Sequence, residues 1–214
     1  MENTTPNDEI LELKCQFDTL TRPDGSVLFC EGETTVLAGV YGPVECKGSK
    51  LLTDKAFIEM NFRPKSGLPC VQDKFFEATL KTTCEAALAA ALHPRSSIVI
   101  TIQEMHNNGQ LLSCAINATC LACLDSNIDM KFLFASTTCF LTTEGNLEMK
   151  TPKKNYIQAI FVFTFDSMKG HLLVSHTEGV FSLENYKSAL EKCREQSKHV
   201  FKFMKNQITR RICT

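Results

Sequence analysis

Residues 22–43 read RPDGSVLFCEGETTVLAGVYGP, and this stretch constrains the fold more than any other. Two apolar runs, Ser26–Cys30 and Thr35–Tyr41, flank the polar triplet Glu31-Gly32-Glu33. Both runs are rich in residues that pack well on a pleated surface, and a short glycine-containing connection between such runs predicts a β-hairpin.

Downstream the periodicity changes several times. Lys55–Pro64 (KAFIEMNFRP) alternates apolar and polar residues and predicts a strand, and Lys65–Asp73 predicts a loop punctuated by glycine and proline. Phe76, Leu80, Cys84, Ala87, Leu88 and Ala91 recur at three- and four-residue spacing and predict a helix. Asp73 is its candidate cap and Pro94 bars it from passing His93. The run Ser97–Met105 predicts a strand, Asn107-Asn108-Gly109 a turn, and Gln110–Ala115 the returning strand of a second hairpin. Ile116–Asp125 reads as a small-residue helix. Strands follow at Lys131–Thr142, Ile157–Asp166 and His171–His176, with a polar connection over Glu144–Asn155. A long helix opens at Ser182, with Tyr186, Leu190, Cys193, Val200, Phe201, Met204 and Ile208 on its apolar side. The pattern is α+β, with mixed sheets, packed helices and a long C-terminal helix. Residues 1–20 are expected to be a flexible segment and 21–214 a single domain.

Composition excludes some function classes. A formal net charge of −1 over 214 residues provides no global positive field for nucleic acid, although local basic patches fit within that sum. No run of about 18 apolar residues is present, so no membrane span is expected. The acidic, polar start lacks the features of a signal peptide, which points to residence in the cytosol or nucleus. Eleven cysteines form an odd set, and a reduced, buried population is expected. Cys120 and Cys123 make a CxxC pair without the second CxxC or histidines of a zinc site, so core packing is its expected role. No histidine pairs in sequence with a nucleophile and carboxylate, and no phosphate-binding GxxxxGK[ST] or GxGxxG string occurs.

Several strings, in order, resemble RNase PH-like proteins: DGSVLFCEGETTVLAGVYGP, MNFRPKSGLP, LLSCAINATCLACLDSNIDM and SHTEGVFS. The resemblance runs from about Thr21 to the end. It is strongest to the RNase PH-like subunits of the RNA exosome. It implies one RNase PH-type domain and a place in a hetero-hexameric ring of RNase PH-like subunits, beneath a cap of RNA-binding subunits. Single-stranded RNA would thread the channel, and work in the nucleus, nucleolus and cytoplasm would follow.

Phosphorolysis needs arginine and N–H donors around an anion, and carboxylates for a divalent ion. Active members of the family place a Gly-Gly-Thr-Arg-Thr-like segment and a later acidic cluster for these tasks. Here the first segment reads Gly109-Gln110-Leu111-Leu112-Ser113, with Leu111 and Leu112 in place of threonine and arginine. In the later loop, NLEMKTPKKNY, Lys150 and Tyr156 stand where carboxylates belong, and only Glu148 remains beside Lys150, Lys153 and Lys154. The resemblance therefore implies a catalytically silent member with no metal and no cofactor. It also puts Arg63 and Lys65 at the channel and makes Lys74, a cation at a helix start, a candidate RNA contact. A solvated loop is the bland alternative for each. The rival reading is an active homo-oligomeric nuclease that draws on Glu77, Glu85 and Glu104.

Overall fold

The computed structural model describes residues 12–46, 48, 51–152 and 156–213. In chain order the strands are β1 (Leu13–Phe17), β2 (Gly25–Glu31), β3 (Thr34–Glu45), β4 (Phe57–Arg63), β5 (Ser96–His106), β6 (Phe134–Thr142), β7 (Leu147–Glu148), β8 (Ile157–Asp166) and β9 (Leu172–Gly179). The helices are α1 (Val71–Ala87), α2 (Leu111–Asp125) and α3 (Leu183–Ile212). One sheet has the order β1-β2-β3-β5-β4 and the other β7-β6-β8-β9.

The opening hairpin forms as expected, with a tighter turn. Glu31 pairs with Thr34, so the connection is Gly32-Glu33 and Glu31 belongs to the strand. Gly32 takes a positive φ of 60°, which only glycine adopts freely. β1 adds to the edge at β2, with Leu13, Cys15 and Phe17 turned toward the core. It lies inside the segment expected to be flexible, and its five residues are too few and too polar to register as a strand. Residues 1–11 lie outside the described residues. β4 and β5 pair in parallel while all other strand pairs are antiparallel, and α1 supplies the crossover that parallel pairing demands.

Two helix expectations need correction. Asp73 is not the cap of α1. Cys70 holds that position, and the Asp73 carboxylate reaches back to accept its N–H at 2.7 Å. The helix also stops at Ala87, because Leu88 turns extended to bridge Met130, and a 3₁₀ turn at Ala90–Leu92 precedes Pro94. The second correction is larger. The turn at Asn107–Gly109 is present, with the Gly109 N–H bonded to Asn107 Oδ1 at 2.8 Å, but it feeds α2 directly. Gln110–Ala115, expected as a strand, is the N-cap and first turn of that helix.

α2 packs on β2 and β3 from one side and on β6 from the other, and every residue of it except Leu124 is buried. Small residues allow the close approach. A Cβ on Gly25 of β2 would collide with the Ala122 carbonyl and the Ser126 N–H at the end of α2. β6 is buried along all nine residues because its two faces meet different helices. Ser136 bonds Asn117 of α2, while Thr137 Oγ1 donates to the Cys193 carbonyl of α3. Cys120 and Cys123 are fully buried, and burial raises both thiols well above the ordinary range, so the CxxC pair packs the core.

α3 begins as expected, with Ser182 Oγ accepting the Asn185 N–H at 3.2 Å. Near its other end, Arg211 forms a clasp. Its guanidinium lies 2.7 Å from Asp125 Oδ1 and 3.0 Å from Asp18 Oδ1, and sits over the Phe17 ring at 5.0 Å. Asp125 also accepts the Ser26 N–H at 2.8 Å, so one carboxylate ties α2, β2 and α3 together. Arg211→Ala would leave that carboxylate, whose side chain is 1% exposed, without its cation. The expected loss is about 2 kcal/mol, seen as a fall of roughly 4–8 °C in Tm. Arg211→Lys should recover only part of it, because the fork geometry is lost.

Candidate functional site

The two segments to which the resemblance assigns phosphorolysis meet at the N-terminal end of α2. Gly109, at φ 95°, turns the chain out of β5, and Gln110 takes the N-cap position without capping the helix. Its side chain instead donates from Nε2 to the Met149 carbonyl at 2.7 Å, which pins the loop after β7 against the helix end. Lys150 thereby shares a pocket of about 310 Å³ with Gln110, Thr151, Glu12 and Glu33. Tyr156 does not join it. That residue is 51% exposed, and its carbonyl accepts the Thr143 N–H. Lys153 and Lys154 lie outside the described residues.

A cavity of about 260 Å³ opens beside the first turn of α2. Its apolar side consists of Leu111, Leu112, Phe76, Ile160 and Val162, with Asp73, Glu104 and Glu178 contributing carboxylates. Among the described residues, neither lysine nor arginine lines it. Leu111 is 7% and Leu112 4% exposed, so both side chains are built into the packing. An anion entering here would meet apolar side chains and three carboxylates, with Gln72, Asn107, Thr138 and His176 also on the lining, and neither leucine of the first helical turn supplies a donor. Among the described residues, no three His, Cys, Asp or Glu side chains converge as metal ligands do.

Of the carboxylates named by the rival reading, only Glu104 reaches the cavity. Glu77 is bound to Lys74 Nζ at 3.0 Å and accepts the Phe62 N–H at 3.4 Å, and Glu85 stands 4.0 Å from Lys81. Asp73 and Glu178, which sequence reasoning missed, come from α1 and the end of β9. Glu178 holds His176 at 3.0 Å, and His176 packs against Phe75 with ring centres 5.0 Å apart. None of the candidate RNA contacts lines the cavity. Arg63 ends β4 and is exposed, and Lys65 is exposed in the loop that also presents Leu68 at 92% exposure. Lys74 is answered by Glu77, which removes the conflict with the α1 dipole.

Behind the first turn of α2 lies a polar group that the sequence pattern places in a turn. Glu31 is fully buried, with Ser113 Oγ 3.1 Å from its Oε2. Thr138 donates to Ser113 at 2.8 Å. Burial pushes the Glu31 pKa up to about 8, against the opposing pull of hydrogen bonds from Ser113 and Asn117. At neutral pH the side chain is thus a neutral acid. The single Ser113 hydroxyl proton has two acceptors at 3.1 Å, Glu31 Oε2 and the Gln110 carbonyl.

Residues 9–129 match the 3' exoribonuclease family, domain 1. The exosome complex exonuclease RRP46 homolog of Arabidopsis thaliana is 30% identical over 213 residues, covering 90% of this chain and 88% of that protein. The rice (Oryza sativa subsp. japonica) protein of the same name is 30% identical over 226 residues, covering 97% and 94%. The crystal structure of rice Rrp46 superposes with a TM-score of 0.86 at 30% identity, over 93% of this chain and 95% of that one. A chain of the Archaeoglobus fulgidus exosome with RNA bound to the active site shares the fold, with a TM-score of 0.75 at 13% identity over 89% and 87%.

The buried acid sets a pH dependence. Its pKa rises from 4.5 to about 8 on folding, so its contribution to stability is complete below pH 4.5 and is lost as pH climbs toward 8. The slope from this one group is at most about 1.4 kcal/mol per pH unit. Glu31→Gln keeps the shape and removes the titration. In urea unfolding, the stability of the variant relative to wild type should rise steadily from pH 5 to 8. Parallel profiles would show that the carboxyl does not titrate with folding.

Proposed function

The chain belongs to the 3' exoribonuclease family, and on that premise we propose that it is a non-catalytic structural subunit of an RNA exosome core ring. The observation that carries this reading is the first turn of α2. Buried Leu111 and Leu112 occupy the position of the family's anion donors, beside a cavity lined by the carboxylates of Asp73, Glu104 and Glu178. Lys150 faces the same helix end where a metal-binding carboxylate is expected. The losses act on both halves of the chemistry, the nucleophilic phosphate and the divalent ion.

Assembly supplies the positive role. β4 and β9 are the outer strands of their sheets on one side each and present edges to which a neighbouring strand can pair. Exposed Met168, Val180 and Leu183, at 73%, 76% and 68%, add apolar surface of the kind that obligate interfaces bury. The partners are other RNase PH-like subunits in a hetero-hexameric ring, with RNA-binding cap subunits above it and single-stranded RNA in its channel. On this reading the protein works in the nucleus and nucleolus and also in the cytoplasm. Arg63 and Lys65, both exposed, would touch the RNA backbone, and Lys74, held by Glu77, would contribute less.

Two experiments test the proposal. The purified chain, given single-stranded RNA, inorganic phosphate and magnesium, should release no nucleoside diphosphates, and its solubility should improve on co-expression with RNase PH-like subunits. Phosphate-dependent release that co-purifies with this chain would establish the rival nuclease reading instead. In a reconstituted ring, Arg63→Ala and Lys65→Ala should each weaken RNA retention and flatten its log–log salt dependence by roughly 0.7 for each phosphate no longer neutralised, with a smaller effect from Lys74→Ala. Unchanged salt dependence in both would remove these side chains from the RNA path.

A further inference from the structure

The loop pinned to the end of α2 carries a feature that neither the fold nor the RNA path uses. Its sequence runs Lys150-Thr151-Pro152-Lys153-Lys154. A threonine followed by proline, with lysine at the third position after it, is the substrate pattern of proline-directed, cyclin-dependent-type protein kinases. The chain has one other Thr-Pro pair, Thr5-Pro6, and there the third position is Asp8. A residue before proline is also biased toward extended backbone, the form in which a kinase cleft takes its substrate.

The structure presents this threonine on a rim. Thr151 and Pro152 are both partly exposed, and Lys150 is exposed. Thr151 lines an open groove of about 830 Å³ together with Glu33, Asn108, Phe140 and Ile157. It also lines the adjoining pocket that holds Lys150. Upstream, the Gln110 amide anchors the Met149 carbonyl, and the Thr151 methyl lies 3.1 Å from where a Cβ on Gly109 would stand. Glycine at 109 thus leaves room for the threonine, and the acceptor is held at a defined place beside solvent.

We propose that Thr151 is a phosphorylation site for a proline-directed serine/threonine kinase. The Thr151 oxygen attacks the γ-phosphorus of ATP, the bond to the β–γ bridging oxygen breaks, and ADP leaves. The hydroxyl proton passes to the kinase's catalytic base. The product adds a charge of about −1.5 to −2 at pH 7 to a pocket in which Lys150 already faces Glu12 and Glu33. One lysine against two glutamates already leaves the pocket at −1, so the phosphate makes it strongly anionic and the adjoining surface repulsive to a polyanion. The assignment does not depend on the ring-subunit reading, because it concerns only this loop.

The test treats the folded, full-length chain with a cyclin-dependent kinase and magnesium-ATP and maps the product by mass spectrometry. Thr151→Ala and a free peptide spanning residues 148–156 run beside it. The expected result is one phosphate on Thr151 of the folded wild-type chain, with that phosphopeptide missing from Thr151→Ala. A folded chain that stays unmodified at Thr151 overturns the proposal, whether or not the free peptide is modified. So does phosphate that maps to Thr5 alone. The decision rests on the wild-type chain, so the folding of the variant does not affect it.

Discussion

The structure depends on burying a whole helix between two sheets. α2 has no face turned to water, so every polar side chain on it requires a partner within the protein. Asn117 meets this demand twice, donating to the Ser136 carbonyl at 2.9 Å and accepting the Ser136 N–H at 2.8 Å. That double contact sets the position of β6, and with it the second sheet, along the helix. Thr119 turns back to the Ala115 carbonyl at 2.7 Å, and Asp125 closes the far end against Ser26 and Arg211. Gly25 completes the arrangement by giving up its side chain where helix and sheet touch.

The candidate site inherits its position from that helix. The turn out of β5 and the loop after β7 both end against the first turn of α2, so Gln110 and Met149, 39 positions apart in sequence, act on one small volume. A helix start favours anions through its free N–H groups and its dipole. Here that tendency is countered. Leucines cover the turn, Gln110 spends its amide on holding the loop, and carboxylates from α1, β5 and β9 face the opening. The fold of the family persists around a helix start that faces leucines and carboxylates. Such a lining is tolerable in a chain whose role is to hold neighbours in place.

Much of the fold is legible in the sequence because amphipathic elements announce themselves. β4 shows period-two alternation, and the Ser182 cap opens a helix whose apolar stripe includes Val200 and Met204. Elements without a polar face are harder. The first turn of α2, Leu111-Leu112-Ser113-Cys114, is apolar on nearly all sides, and periodicity cannot separate a buried helix from a buried strand over so short a run. Glu31 reads as a turn residue because glutamate rarely occupies a fully buried strand position, and only the contact with Ser113, 82 residues away, explains it. The parallel β4–β5 pairing and the approach of Asp73 and Glu178 to one cavity arise from long-range packing that leaves no local signature.

The cysteines of the core have a further consequence. Cys46, Cys84, Cys114, Cys120, Cys123, Cys139 and Cys193 are all buried thiols. While the chain stays folded the core shields them, and burial keeps Cys84, Cys114, Cys120 and Cys123 protonated, while a hydrogen bond with Cys139 and then burial raise Cys193. An excursion that opens the larger core cluster exposes Cys84, Cys114, Cys120 and Cys123, and a sulfenic acid or mispaired disulfide formed then would block refolding. The working lifetime of the protein is therefore set by how often it opens as much as by its equilibrium stability. A neighbour that holds its sheet edges closed would act as an antioxidant.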